Sequence, residues 1–135
     1  MTKKHRFKVD KLTRDKIPEI MRSQNLEGLL RVMDEDEYLK RLQDKLLEEA
    51  KEVISAKTSD EYVEELADVL EVIHALANQL GLSYQQVEEK RLQKKHERGG
   101  FSRRIYVAYI DIEADNEKIS YYRDRPEDYP EIIQS

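Results

Sequence analysis

Between Gly28 and Gly99 the chain carries no proline and a single glycine, Gly81. A stretch with so few breakers favours helices, and cap signals inside it say where they begin. Asp34 with Glu37, Thr58 with Glu61, and Ser83 with Gln86 each have the spacing of a capping box. They predict helices over about 34–57, 58–80 and 83–98. A shorter helix is predicted over about 15–24, with Pro18 in its first turn, where proline is tolerated. Apolar residues recur along these stretches at period 3.6 rather than 2. After Phe101 the texture changes. Residues 105–112 (Ile-Tyr-Val-Ala-Tyr-Ile-Asp-Ile) are β-branched and aromatic, Asp115-Asn116 reads as a turn, and residues 119–123 read as a returning strand. The fold expected is an all-α, antiparallel four-helix bundle with a C-terminal β-hairpin extension. It forms one domain over 1–135, with a helical core at about 12–101 and the extension at about 102–135.

Composition narrows the function. The chain has 135 residues and 24 Lys and Arg against 29 Asp and Glu, a net charge of −5. Such a balance supplies no overall attraction to nucleic acid or an anionic membrane, so neither is expected as a partner. Apolar runs fall well short of the ~20 residues of a membrane span. The basic N-terminus lacks the apolar stretch of a secretory signal, so a cytoplasmic location is expected. With no cysteine there are no disulfides, thiolate metal sites or thiol nucleophiles. A metal held by this chain would be a hard cation with oxygen ligands.

The carboxylates carry the chemistry. In the second helix Leu39, Leu42, Leu46, Ala50 and Val53 form an apolar stripe. At 100° per residue from Leu46, Glu49 falls at about 300°, between Tyr38 (about 280°) and Leu42 (about 320°), and Glu52 lies beside it. In the third helix Tyr62, Leu66, Val69, Leu70, Ile73, Leu76, Ala77 and Leu80 form the stripe. Glu65 falls at about 260° from Leu66, between Val72 and Leu76, and Asp68 falls near Ala75. Residues at i and i+3 stand about 5–6 Å apart, so each pair can present two carboxylates to one point. Antiparallel packing would make the pairs face each other, and half-buried acids so gathered need a cation. Mg²⁺ fits because it takes oxygen ligands and keeps waters that substrate phosphates can replace. The competing reading is a solvated acidic face, with Lys45 paired to Glu49. About six acid-x-x-acid matches are expected by chance, so one pair alone decides nothing. Two pairs on adjacent helices, both intruding on apolar stripes, bring the metal reading level with the solvated one.

A phosphate site also needs fixed cations. Lys90, Lys94 and Arg98 share one face of the fourth helix, which runs into Gly99-Gly100-Phe101. Arg14 and Lys16 flank Asp15 at a helix start. Both groups also have a plain structural reading, as complements to helix ends. His5, His74 and His96 are not spaced for a metal. Tyr106, Tyr109, Tyr121, Tyr122 and Tyr129 are expected to pack the hairpin or an interface rather than stack on a base.

Glu48-Glu49-x-x-Glu52 followed by Glu65-x-x-Asp68 resembles the EExxE…ExxD signature of MazG-like nucleotide pyrophosphohydrolases, the all-α NTP pyrophosphatase superfamily. That superfamily also includes dimeric dUTPases and phosphoribosyl-ATP pyrophosphohydrolases. Residues 11–18 (Lys-Leu-Thr-Arg-Asp-Lys-Ile-Pro) are similar to the "KLVRDKIP" opening of a small single-domain branch, and Arg98-Gly-Gly-Phe101 to its closing motif. The resemblance covers about residues 10–105. It implies Mg²⁺, or Mn²⁺ in its place, held by Glu49, Glu52, Glu65 and Asp68, with Glu48 a weaker candidate. It implies cleavage of a nucleoside triphosphate between the α- and β-phosphates, clearing non-canonical or excess nucleotides. Glu49 or Glu52 would be the base, with Arg14, Lys16, Lys90, Lys94 and Arg98 on the phosphates. It further implies a homodimer or homotetramer. The 34 residues after Phe101 depart from the compact pattern. The rival readings are phosphoribosyl-ATP pyrophosphohydrolysis and a non-catalytic helical interaction module.

Overall fold

The computed structural model describes residues 2–134. Among them lie five helices and no strand: α1 (Ile17–Ser23), α2 (Glu35–Ser55), α3 (Ser59–Gln79), α4 (Tyr84–Arg98) and α5 (Ile119–Arg123). None is long and apolar enough to cross a membrane. The chain divides into two compact units, residues 1–98 and 99–135.

In the first unit the four expected helices all form, and the caps act as the sequence requires. Asp34 Oδ1 accepts from Glu37 N–H at 2.8 Å, and Thr58 Oγ1 accepts from Glu61 N–H at 3.2 Å. Ser83 and Gln86 make the full reciprocal box: Gln86 N–H donates to Ser83 Oγ at 3.2 Å, and Ser83 N–H donates to Gln86 Oε1 at 2.8 Å. At Thr58 the box is only half formed, because the Glu61 carboxylate accepts from Lys57 N–H instead. Gly81 ends α3 at φ +72°, with Leu82 N–H donating to Ala77 C=O at 2.8 Å and Gly81 N–H to Asn78 C=O at 3.1 Å. That pair of bonds is a Schellman stop, which needs a left-handed residue at this place.

Helices α2 and α3 are joined by Ala56, Lys57 and Thr58, and they pack on each other as an antiparallel hairpin. Helix α4 packs on α3. The His74 ring stacks on Tyr84 with centroids 3.9 Å apart, tying the two. Leu42, Val72 and Ala77 are the buried apolar residues, and Glu49 is buried as well. Truncating Leu42 to alanine would cost about 2–5 kcal/mol. Much of the rest of the α3 stripe is uncovered: Tyr62, Leu66, Leu70 and Leu80 are all exposed.

The second unit corrects the expected β-hairpin. Residues 105–112 form no strand, and residues 119–123 are helix α5. The local reason lies at Asn116. Its side-chain oxygen accepts from Lys118 N–H at 2.9 Å, and its carbonyl accepts from Ile119 N–H at 3.1 Å, an Asx turn that feeds a helix. Strand propensity needs a partner to pack against, and a lone two-stranded hairpin is marginal in water. Three tyrosines in this unit pack together: the Tyr121, Tyr122 and Tyr129 rings lie 5.0–5.8 Å apart, and Arg125 sits 4.1 Å above the Tyr121 ring, whereas Tyr106 and Tyr109 are exposed.

Candidate metal centre and phosphate cleft

Glu49 lies seven residues before Ala56, and Glu65 seven after Thr58. Seven residues are close to two helical turns, so the α2–α3 hairpin returns both side chains to the same side. Asp68 follows Glu65 by one turn. The structure brings these three together, with one carboxylate oxygen from each within 4.8 Å of the others. At that spacing the three residues would be the ones to hold a single divalent ion. Glu49 is the most enclosed, at 9% exposure, and Glu65 and Asp68 are half-buried. An all-oxygen, anionic donor set of this kind fits a hard cation.

The trio is electrostatically loaded. Glu65 has its pKa raised, first by partial burial and then by repulsion from Asp68, Glu52 and Glu49. Glu52 is therefore close enough to act on Glu65, although it is exposed and stands outside the trio. Glu48 faces a different balance. Burial pushes its carboxyl up, but hydrogen bonds and charge from Lys11 and Lys45 outweigh this and hold it below the usual range.

Two cations engage the trio directly, and a third engages Glu48. Arg14 Nη2 donates to Asp68 Oδ1 at 2.6 Å. Lys45 Nζ stands 3.5 Å from Glu49 and 3.1 Å from Glu48, and Lys11 Nζ stands 3.1 Å from Glu48. The N-terminal segment thus lies across the hairpin and closes one wall of a cleft of about 510 Å³. Arg14, Lys16, Lys45, Glu49, Asp68 and Glu71 provide its polar lining, and Leu12, Ile17, Ile20, Leu42 and Val72 its apolar lining. A smaller cavity of about 300 Å³ adjoins it, sharing Asp15, Tyr38, Glu71 and Ala75.

Of the residues singled out from sequence, Glu49, Asp68, Arg14 and Lys16 line the cleft, and Glu65 completes the trio. Lys90, Lys94 and Arg98 are exposed on α4 and do not line it; Lys90 instead donates to Gln93. Sequence reasoning offered Lys45 only as a surface partner of Glu49, a pair the structure does form, and gave Lys11, Tyr38 and Glu71 no place at the site. Lys45 had a signal in its i,i+4 spacing to Glu49, which read equally well as a surface ion pair. Glu71 had one in its i+3 spacing from Asp68.

Residues 13–96, more than half of the chain, match the family described as phosphoribosyl-ATP pyrophosphohydrolase. No curated protein and no solved structure matches the chain. The matched span runs from the Arg14 segment through both acid-bearing helices and almost to the end of α4, and it holds every residue of the trio and its two cations. With that span matched, the chain belongs to the phosphoribosyl-ATP pyrophosphohydrolase family, within the MazG-like all-α NTP pyrophosphatase superfamily.

Proposed function

We propose that the protein hydrolyses a nucleoside triphosphate between the α- and β-phosphates, releasing the monophosphate and pyrophosphate in a Mg²⁺-dependent reaction. The observation that carries this reading is the Glu49–Glu65–Asp68 trio, with Arg14 bonded to Asp68, at the wall of a cleft large enough for a nucleotide. Glu49, Glu65 and Asp68 would hold the ion, with Glu52 joining from one turn along. When bound, such an ion would neutralise charge on the phosphates and lower the pKa of a water at the site. Glu49, the most enclosed of the acids, or Glu52 one turn along would take the proton as the water oxygen bonds to the α-phosphorus. The bond from that phosphorus to the bridging oxygen breaks, and pyrophosphate leaves. Arg14 and Lys16 stand on the cleft wall to stabilise its charge.

This reading gives Lys90, Lys94 and Arg98 no part in the cleft, since none of them lines it. An assembly of two or four copies is supported by the apolar side chains left uncovered on the hairpin, among them Ile54 (81% exposed), Val63 (67%), Leu66 (51%) and Leu70 (46%). The second reading, supported by the family match, keeps the same bond cleavage on phosphoribosyl-ATP.

The deciding experiment offers purified protein a panel of nucleoside triphosphates and phosphoribosyl-ATP with Mg²⁺, and follows pyrophosphate. Release from triphosphates supports the first reading, and release from phosphoribosyl-ATP alone the second. Absence of release from all of them, or orthophosphate in its place, would refute both.

A further inference from the structure

The smaller cavity is polar and the reaction chemistry does not use it. Its lining includes Asp15, Tyr38, Glu71, His74, Asn78 and Gln79. The side chains of Glu71, Asn78 and Gln79 border this one space, with Glu71 and Asn78 open to solvent and so available to a ligand. Their order along α3 matters. At 100° per residue, Asp68, Glu71, Ala75, Asn78 and Gln79 fall within about 100° of one another, a single strip of the helix. Along that strip Glu71 lies about 4.5 Å beyond Asp68, and Asn78 about 15 Å beyond it. The strip therefore presents first an acid of the metal trio, then a second carboxylate, then a methyl group that leaves space, then two carboxamides. That is the order of groups along a nucleotide: charged phosphates, hydroxylated sugar, and a flat base with donors and acceptors on its edge.

Resting on the reading above, we propose that the cavity at the C-terminal end of α3 is the nucleoside pocket, with Glu71 accepting from the ribose hydroxyls and Asn78 and Gln79 reading the base edge. Carboxylates suit a cis-diol because each oxygen accepts one hydroxyl hydrogen. Carboxamides suit a base because each offers a donor and an acceptor side by side. Tyr38 borders both cavities, so its ring flanks the joint between sugar and phosphate. His74 is clamped against Tyr84, which fixes the far wall. The ligand class is a ribonucleotide, bound better than its 2′-deoxy counterpart.

The test compares wild type, Glu71→Gln and Asn78→Ala by calorimetric titration with ribonucleoside and 2′-deoxyribonucleoside monophosphates, by pyrophosphate release from the corresponding triphosphates, and by titration with inorganic tripolyphosphate and Mn²⁺. Wild type is expected to bind the ribo form about tenfold more tightly. Glu71→Gln should remove that preference by weakening the ribo form alone. Asn78→Ala should change the ranking of the bases at least fivefold through KM rather than kcat. Tripolyphosphate and Mn²⁺, which have no nucleoside part, should bind Asn78→Ala and wild type equally. The proposal is overturned if wild type binds no nucleoside monophosphate, if the ribo-to-deoxy ratio is unchanged in Glu71→Gln, or if tripolyphosphate binding falls in parallel with nucleotide binding in Asn78→Ala. Monophosphate binding with the predicted discrimination but without turnover would uphold the pocket and defeat the hydrolysis reading instead.

Discussion

Arg14 and Asp68 stand 54 positions apart in the chain, and the guanidinium of one meets the carboxylate of the other at 2.6 Å. This contact fixes the N-terminal segment over the acid-bearing hairpin. It also sets a cation where negative charge is densest, and neither side chain is deeply buried. The pair is thus held loosely enough to separate when a divalent ion and a phosphate compete for its two halves.

Replacing Arg14 by methionine should separate two effects. Asp68 loses a competitor, so Mn²⁺ affinity, read by the metal's paramagnetic resonance, should hold or rise. Phosphate stabilisation is lost, so kcat/KM for pyrophosphate release should fall about 10²–10³-fold. A fall in both together would place Arg14 in a purely structural role.

Asp68→Asn should keep the shape and remove one charge from the trio. Metal affinity should drop by about 10²-fold or more, since loss of even an outer-shell partner costs about 10–100-fold. Thermal melting in the presence of a chelator should show little net change, because relieved repulsion on Glu65 offsets the weakened bond from Arg14. A melting temperature well below wild type would show that Asp68 holds the fold rather than an ion.

Gly81 sits at φ +72° with open space where a Cβ would be. Alanine there meets no clash, so the cost is backbone strain alone, about 1 kcal/mol. The melting temperature should fall by a few degrees with the metal site intact. An unchanged melting temperature would mean that the stop after α3 carries no strain.

Glu37 receives two 2.6 Å bonds from Arg31, and these hold its pKa below the ordinary carboxylate value. A folded pKa below the unfolded one gives stability that is present above the unfolded value and is lost as pH falls through the folded one. Nuclear magnetic resonance of the Glu37 carboxyl carbon should therefore show a low midpoint. The midpoint should move up towards about 4.3 in Arg31→Met.

The helices were legible because caps and breakers are local chemistry. Asp34, Thr58, Ser83 and Gly81 act within a few residues, and each appears where its spacing required. Glu49, Glu65 and Asp68 were legible because an acid among apolar neighbours on a helical wheel is a conflict that only a partner resolves. The stretch at 105–112 was misread because β-branched side chains signal a surface they would pack against, and the sequence does not say whether that surface exists. Instead, the Asx turn at Asn116 starts α5 where a returning strand was expected. The part played by Lys45 stayed hidden for another reason. A lysine four residues before a glutamate looks the same whether the pair faces water or a cleft, and only the packing of α3 tells them apart.

The near-equal arms of the α2–α3 hairpin constrain how this protein can vary. Extra residues placed among Ala56, Lys57 and Thr58 lengthen only a bridge, leaving Glu49, Glu65 and Asp68 in step. One residue inserted between Thr58 and Glu65 swings both acids of α3 by about 100° and scatters the trio without touching a ligand. Descendants of this chain are thus free to lengthen the crossing but bound to keep the spacing on either side of it.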